Sequence, residues 1–90
     1  MSEFKSFNKN ITETDVFTSL PSSAQVLFFM LGMDTEGGIT RRPHAITRMV
    51  GASEDDLQML IDRHLITDKG DGSIDMTGCV EDVFEEDFND

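Results

Sequence analysis

Positions 24 to 31 read Ala-Gln-Val-Leu-Phe-Phe-Met-Leu, with apolar side chains on nearly every side of a helical projection. This predicts a helix over Ser22–Met33, with Pro21 suited to its first turn. A helix that is apolar all round is expected to be covered by neighbours on several sides. It therefore reads as the central core helix, with Gly32 and then Gly37-Gly38 marking its end and a turn.

Further along the pattern changes. Ile39-Thr40 suits a short strand, and Pro43 opens a second helix over Pro43–Val50, with Gly51 as its stop. Ser53 is an N-cap for a third helix over Glu54–His64, and Asp56 completes a capping-box variant. Leu57, Leu60, Ile61, His64 and Leu65 recur at helical spacing. The turn Gly51-Ala52-Ser53 is short enough for a helix-turn-helix. Leu65–Thr67 and Ser73–Met76 flank Asp68-Lys69-Gly70-Asp71-Gly72, whose glycines and aspartates suit a hairpin loop. At the ends the signals are weaker. Residues 1–10 read as a flexible or extended arm, and Thr12–Phe17 as one short helical turn capped by Thr12 or Thr14. Val80, Val83, Phe84 and Phe88 are spaced for a short amphipathic helix in an acidic tail, 79–90. The expected fold is α+β, mostly helical: a winged helix over residues 11–78, a helix-turn-helix followed by a β-hairpin.

Composition narrows the class. Ninety residues make one domain. Cys79 stands alone, so it can form neither an internal disulfide nor a cysteine-based zinc site, and it reads as a small apolar filler at a strand end. Neither a signal peptide nor an apolar run of membrane length is found, so the expected compartment is the cytoplasm, without a membrane partner. Charge changes the picture more. Residues 1–50 hold five basic and five acidic residues, whereas residues 51–90 hold two basic and thirteen acidic ones. The net charge of -11 therefore sits entirely in the second half, where it governs partner choice and on-rate.

The segment Leu20-Pro21-Ser22-Ser23-Ala24-Gln25-Val26-Leu27-Phe28-Phe29-Met30-Leu31-Gly32-Met33-Asp34 resembles the N-terminal domain of phage replisome organisers. The resemblance continues through Ile46-Thr47-Arg48-Met49-Val50-Gly51-Ala52-Ser53-Glu54-Asp55-Asp56-Leu57, then Leu60-Ile61 and Leu65-Ile66, with a weaker match over Lys5 to Phe17. It implies a winged helix used in replication initiation, on origin DNA or in replisome assembly. Such organisers usually continue into a second domain and tend to have a basic tail. Here the hairpin leads into Met76-Thr77-Gly78-Cys79 where an aromatic residue is typical, and the tail is acidic. Those departures count against DNA binding, because fold does not fix function.

Candidate chemistry follows the charge. Arg41, Arg42 and Arg48 form the basic cluster and are the candidates for nucleic-acid contact. Against them, Glu54, Asp55 and Asp56 open the helix that would enter a major groove, where Arg, Lys, Asn or Gln usually stand. Asp68, Asp71 and Asp75 lack the ligand spacing of a calcium loop and read as turn residues. His44 and His64 have no close metal partner in sequence, and neither a catalytic arrangement nor a cofactor motif stands out. The expectation is a non-enzymatic protein, monomer or homodimer, that binds a protein with a basic surface and DNA weakly or not at all. Its candidate contacts are Glu54, Asp55, Asp56, Asp68, Asp71, Asp75, Glu81, Asp82, Glu85, Glu86 and Asp87, with Phe84 and Phe88 as apolar anchors. Acidic mimicry of DNA toward a nucleic-acid-handling protein, such as a host-defence nuclease or CRISPR effector, is the leading reading. A DNA-binding module for phage replication or transcription is the alternative.

Overall fold

A computed structural model describes residues 2–85 of the chain, and side chains between positions 4 and 83. The fold is α+β. Among the described residues the order is β1 (Ser2–Phe7), α1 (Lys9–Thr12), α2 (Asp15–Thr18), α3 (Ser22–Asp34), β2 (Ile39–Thr40), α4 (Pro43–Met49), α5 (Glu54–Asp62), β3 (Thr67–Asp68), β4 (Ile74–Asp75) and β5 (Val80–Glu85). The strands form two antiparallel sheets, a three-stranded one in the order β2-β4-β3 and a two-stranded ribbon of β1 with β5.

α3 is the hub of the core. Ala24, Leu27, Phe28 and Leu31 are fully buried, against Ile46 of α4, Leu57 and Leu60 of α5, and Ile74 and Met76 beyond them. Phe7 of β1 and Phe17 of α2 cover a further side, against Phe28 and Phe29. Val26, Met30 and Met33, with the outer edge of Phe29, stay exposed, so one face of this all-apolar helix is left uncovered. Gly32 does not end the helix, which runs on to Asp34. Its missing side chain makes room for the Phe7 ring, which a methyl at this position would overlap. Phe7, Phe17, Phe28 and Phe29 then meet edge to face or tilted, with ring centroids 5.1–6.2 Å apart.

α4 and α5 end in the same way. Each closes with a residue of positive φ just past its cap, Gly51 (φ 75) and His64 (φ 62). After α4, Gly51 N donates to Arg48 O and Ala52 N to Thr47 O; after α5, His64 N donates to Ile61 O and Leu65 N to Leu60 O. Those paired bonds are the Schellman closure. α5 is therefore shorter than the apolar spacing suggests, because His64 leaves the helix. At its start, Ser53 Oγ accepts from Asp56 N at 3.1 Å and Asp56 Oδ2 accepts from Ser53 N at 3.1 Å, the reciprocal capping box.

The chain ends depart most from expectation. Residues 2–7 are a strand where an arm is expected, and Val80–Glu85 is a strand where an amphipathic helix is expected. The mixed acidic and apolar spacing fits either period, and the N-terminal strand decides between them. In the β1–β5 register Phe7 pairs with Val80, Lys5 with Asp82 and Phe4 with Val83. Phe7 packs against the core and Val80 and Cys79 join it, so the core reaches beyond residues 11–78. Cys79 is buried, donates Sγ–H to Leu65 O at 3.0 Å, and has its thiol pKa raised by burial.

Candidate functional site

Several aspartates of the second half are held in place by nearby backbone N–H groups. In the β3–β4 loop, Asp68 Oδ1 accepts from Gly70 N at 2.9 Å, and Asp71 Oδ1 accepts from Ser73 N at 3.0 Å and from Ser73 Oγ. Asp75 Oδ1 accepts from Thr77 N at 2.8 Å. These are side-chain turns that favour the ionised carboxylate. The Ser73 and Thr77 donors hold Asp71 and Asp75, respectively, below the ordinary carboxylate pKa. Asp56 is lowered likewise by the Ser53 N–H, against the opposing effect of burial.

Two of these elements face each other across a groove of about 460 Å³. One wall is the start of α5, with Glu54, Asp55 and Gln58; the other is the β3–β4 hairpin, with Asp68, Gly70, Gly72 and Ser73. Pro43, Leu57, Ile61 and Ile74 supply an apolar floor. The lining contains three carboxylates and neither Lys nor Arg. His44 stands at the rim, its Nδ1 2.8 Å from Glu54 Oε1, and both side chains are more than half exposed. A pair so exposed contributes little to stability.

The structure thus brings Glu54, Asp55 and Asp68 together and separates them from other candidates. Asp56 is buried and spent on the capping box. Asp71 and Asp75 stabilise turns beside the groove without lining it. Asp82 points inward: Oδ1 accepts from Lys5 Nζ at 2.5 Å and Oδ2 from Gly37 N at 3.0 Å. Glu81 and Val83 are exposed on the ribbon. Glu86, Asp87 and Phe88 lie outside the described residues, as do the side chains of Phe84 and Glu85.

The basic candidates are dispersed in role. Arg42 is tied to Asp34, with Nε 3.0 Å and Nη2 2.9 Å from Oδ1, while Thr40 Oγ1 donates to Asp34 Oδ2. Arg41 and Arg48 are exposed and form no ion pair among the described residues. Sequence reasoning missed the Lys5–Asp82 link, whose partners lie at opposite ends of the chain. It also missed His44 as a groove residue, and only its position beside Pro43 at the helix start could have signalled that. Among the described residues no group of three or more His, Cys, Asp or Glu is arranged to hold a metal ion, and no helix is long and apolar enough to cross a membrane.

No protein-family model, curated protein or solved structure matches this sequence.

Proposed function

We propose that this chain is a non-enzymatic binding module of winged-helix type that docks on a basic protein surface through the groove between α5 and the β3–β4 hairpin. The sheet order β2-β4-β3, with β2 before the helix pair and the hairpin after it, supports the winged-helix reading. One observation carries the function. Where a DNA-reading member of that class presents basic groups beside its recognition helix, this groove presents Glu54, Asp55 and Asp68. Carboxylates held ~7 Å from phosphates cost about 0.6 kcal/mol per pair even at water's dielectric. The same field attracts a surface built to receive a nucleic-acid backbone. The partner class that fits is a nucleic-acid-handling protein, such as a host-defence nuclease of a phage-infected cell, inhibited by occupation of its DNA-binding surface.

The test is competition. Immobilised protein is exposed to bacterial lysate, and captured proteins are challenged with duplex DNA. The expected result is capture of a DNA-binding protein that duplex displaces, with capture lost in the Glu54→Gln/Asp55→Asn/Asp68→Asn variant. Undiminished capture by that variant refutes the groove. Submicromolar binding of duplex DNA by the protein itself at physiological salt promotes the alternative, a DNA-binding module using Arg41, Arg42 and Arg48. Three exposed arginines release few counterions, so a salt slope of about -2 to -3 is the ceiling expected for any DNA contact.

A further inference from the structure

The groove between α5 and the β3–β4 hairpin carries two chemistries. Its floor is apolar, with Leu57 and Ile74 at the bottom. Its facing walls carry carboxylates, Asp55 on α5 and Asp68 on the hairpin. Both are exposed, and neither forms an ion pair among the described residues. Asp68 is fixed by the Gly70 N–H through Oδ1, which leaves Oδ2 open. The hairpin wall also includes Gly70 and Gly72, and open space lies where a Cβ would stand on either. A partner's main chain can therefore approach that wall without meeting a side chain.

We propose that this groove is a seat for an arginine side chain carried on an extended segment or loop of the partner protein. The proposal rests on the groove being the docking surface, and goes further by naming what enters it. Charge sets the sign of the occupant, because the lining holds three carboxylates and neither Lys nor Arg. Size sets its scale. A volume of about 460 Å³ lies at the small end of the ~300–1,000 Å³ of pockets that enclose a small molecule. That suits one or two long side chains and is too small to take in a helix, whose diameter is ~10–12 Å. The floor sets its shape: a cation on a long apolar stem covers Leu57 and Ile74 while its head reaches the carboxylates. Arginine meets these conditions better than lysine. Its planar guanidinium donates from more than one edge, so it can engage Asp55 and Asp68 together, and it is less strongly hydrated than an ammonium. A second copy of this chain is a poor occupant, because two molecules of net charge -11 repel.

Amide spectra of the isotope-labelled full chain, titrated with short glycine-flanked peptides, test this. The probes carry arginine, lysine, citrulline (the neutral shape of arginine) or a guanidino residue with a shortened stem. The arginine peptide should shift the amides of Asp55, Leu57, Gly70 and Gly72. It should bind at least about threefold tighter than the lysine and short-stem peptides, and citrulline should leave those amides unmoved. Raised salt should weaken both cations and leave the preference for arginine in place, since stem contact and fork geometry are not screened. Asp55→Asn/Asp68→Asn keeps an acceptor at each position and removes the charge, so it should weaken arginine binding by about threefold to tenfold. Unmoved amides outside the groove would show that this variant is folded. Equal binding of arginine and lysine at the groove overturns the arginine seat and leaves the basic-surface reading standing. Absence of any shift with the arginine peptide also overturns the seat, and shifts confined to the ribbon around Glu81 overturn both. Shifts at the groove on concentrating the free protein, lost in Arg41→Gln/Arg48→Gln, would give the seat to a second copy instead. Arginine preference at the groove, with lysate capture undiminished by the groove variant, supports the seat and refutes that reading.

Discussion

Asp82→Asn separates folding from docking in the acidic segment. Asp82 links three parts of the chain, because its carboxylate holds Lys5 of β1 and the Gly37 N–H of the turn after α3 while sitting on β5. The Lys5 side chain is 4% exposed and that of Asp82 18%. Removing one partner of a fully buried ion pair costs ~3–5 kcal/mol, because the remaining charge is stranded. An exposed pair is worth at most ~1 kcal/mol. This pair lies between the limits: Lys5 is shielded, Asp82 touches water, and the ammonium also donates to Thr35 O. Asparagine keeps the shape and one acceptor. The expected loss is about 2 kcal/mol, measured by urea denaturation with unchanged m. For a domain of this size that lowers Tm by about 8–16 °C. Acid should have the same effect on the wild type. The Lys5 hydrogen bond and the Gly37 N–H hold the Asp82 carboxyl below its ordinary value of 3.8. Its contribution is present above that value and lost as pH falls through the lower, folded-state value, so the gap between wild type and variant should close in acid. A loss under ~0.5 kcal/mol at neutral pH, the size of an ordinary surface change, refutes the structural role.

Leu27→Ala should cost about 2–5 kcal/mol by the same assay, since Leu27 is fully buried in the hub helix; a loss below about 1 kcal/mol would displace α3 from that role. Gly32→Ala pushes a methyl into the Phe7 ring and should cost about 1–3 kcal/mol, with the near-ultraviolet signal of the phenylalanine cluster altered. His64→Gly should stabilise by about 1 kcal/mol, because His64 holds a left-handed conformation that costs a side-chain-bearing residue ~1–2 kcal/mol; destabilisation instead would show that its imidazole supplies a compensating contact.

What was legible in the sequence was local. Ser53 with Asp56, Gly51 past α4, and the Asp and Gly residues of the hairpin loop each satisfy backbone groups within a few positions, and each appears in its expected role. What was illegible was the pairing of distant segments. Phe4-Lys5-Ser6-Phe7 is too short to declare itself a strand, and Val80–Phe88 fits two periods. Only the cross-chain match of Lys5 with Asp82 and Phe7 with Val80 selects the ribbon. Gly32 looked like a helix stop because a glycine's notch is visible only once the ring that fills it is known. The apolar surround of α3 predicts neighbours on several sides, yet a chain this small leaves the face of Val26, Met30 and Met33 uncovered. For the site, the excess of carboxylates was plain, but their division was not. Glu54, Asp55 and Asp68 line the groove while Asp56 is buried in the capping box and Asp82 is held by Lys5 and the Gly37 N–H, a distinction set by position in the fold rather than by residue type.

That division changes where a docking surface belongs. A carboxylate that has to be ordered when it meets a partner costs side-chain entropy on binding. Of the carboxylates that line the groove, Asp68 is already ordered, because it accepts the Gly70 N–H in its own turn, as Asp71 and Asp75 accept backbone N–H groups in theirs. Such bonds fix a carboxylate without cancelling its charge, so the outward field persists. Truncation at residue 79 is consequently a poor probe of docking. It removes β5, takes Asp82 away from Lys5 and withdraws Val80 from the core, and loss of binding would then report loss of fold. Neutralising Asp55 and Asp68, which are exposed and make no ion pair among the described residues, leaves the architecture in place. The effect expected of a working groove is a slower association that recovers toward wild-type behaviour as salt rises, with the dissociation rate little changed.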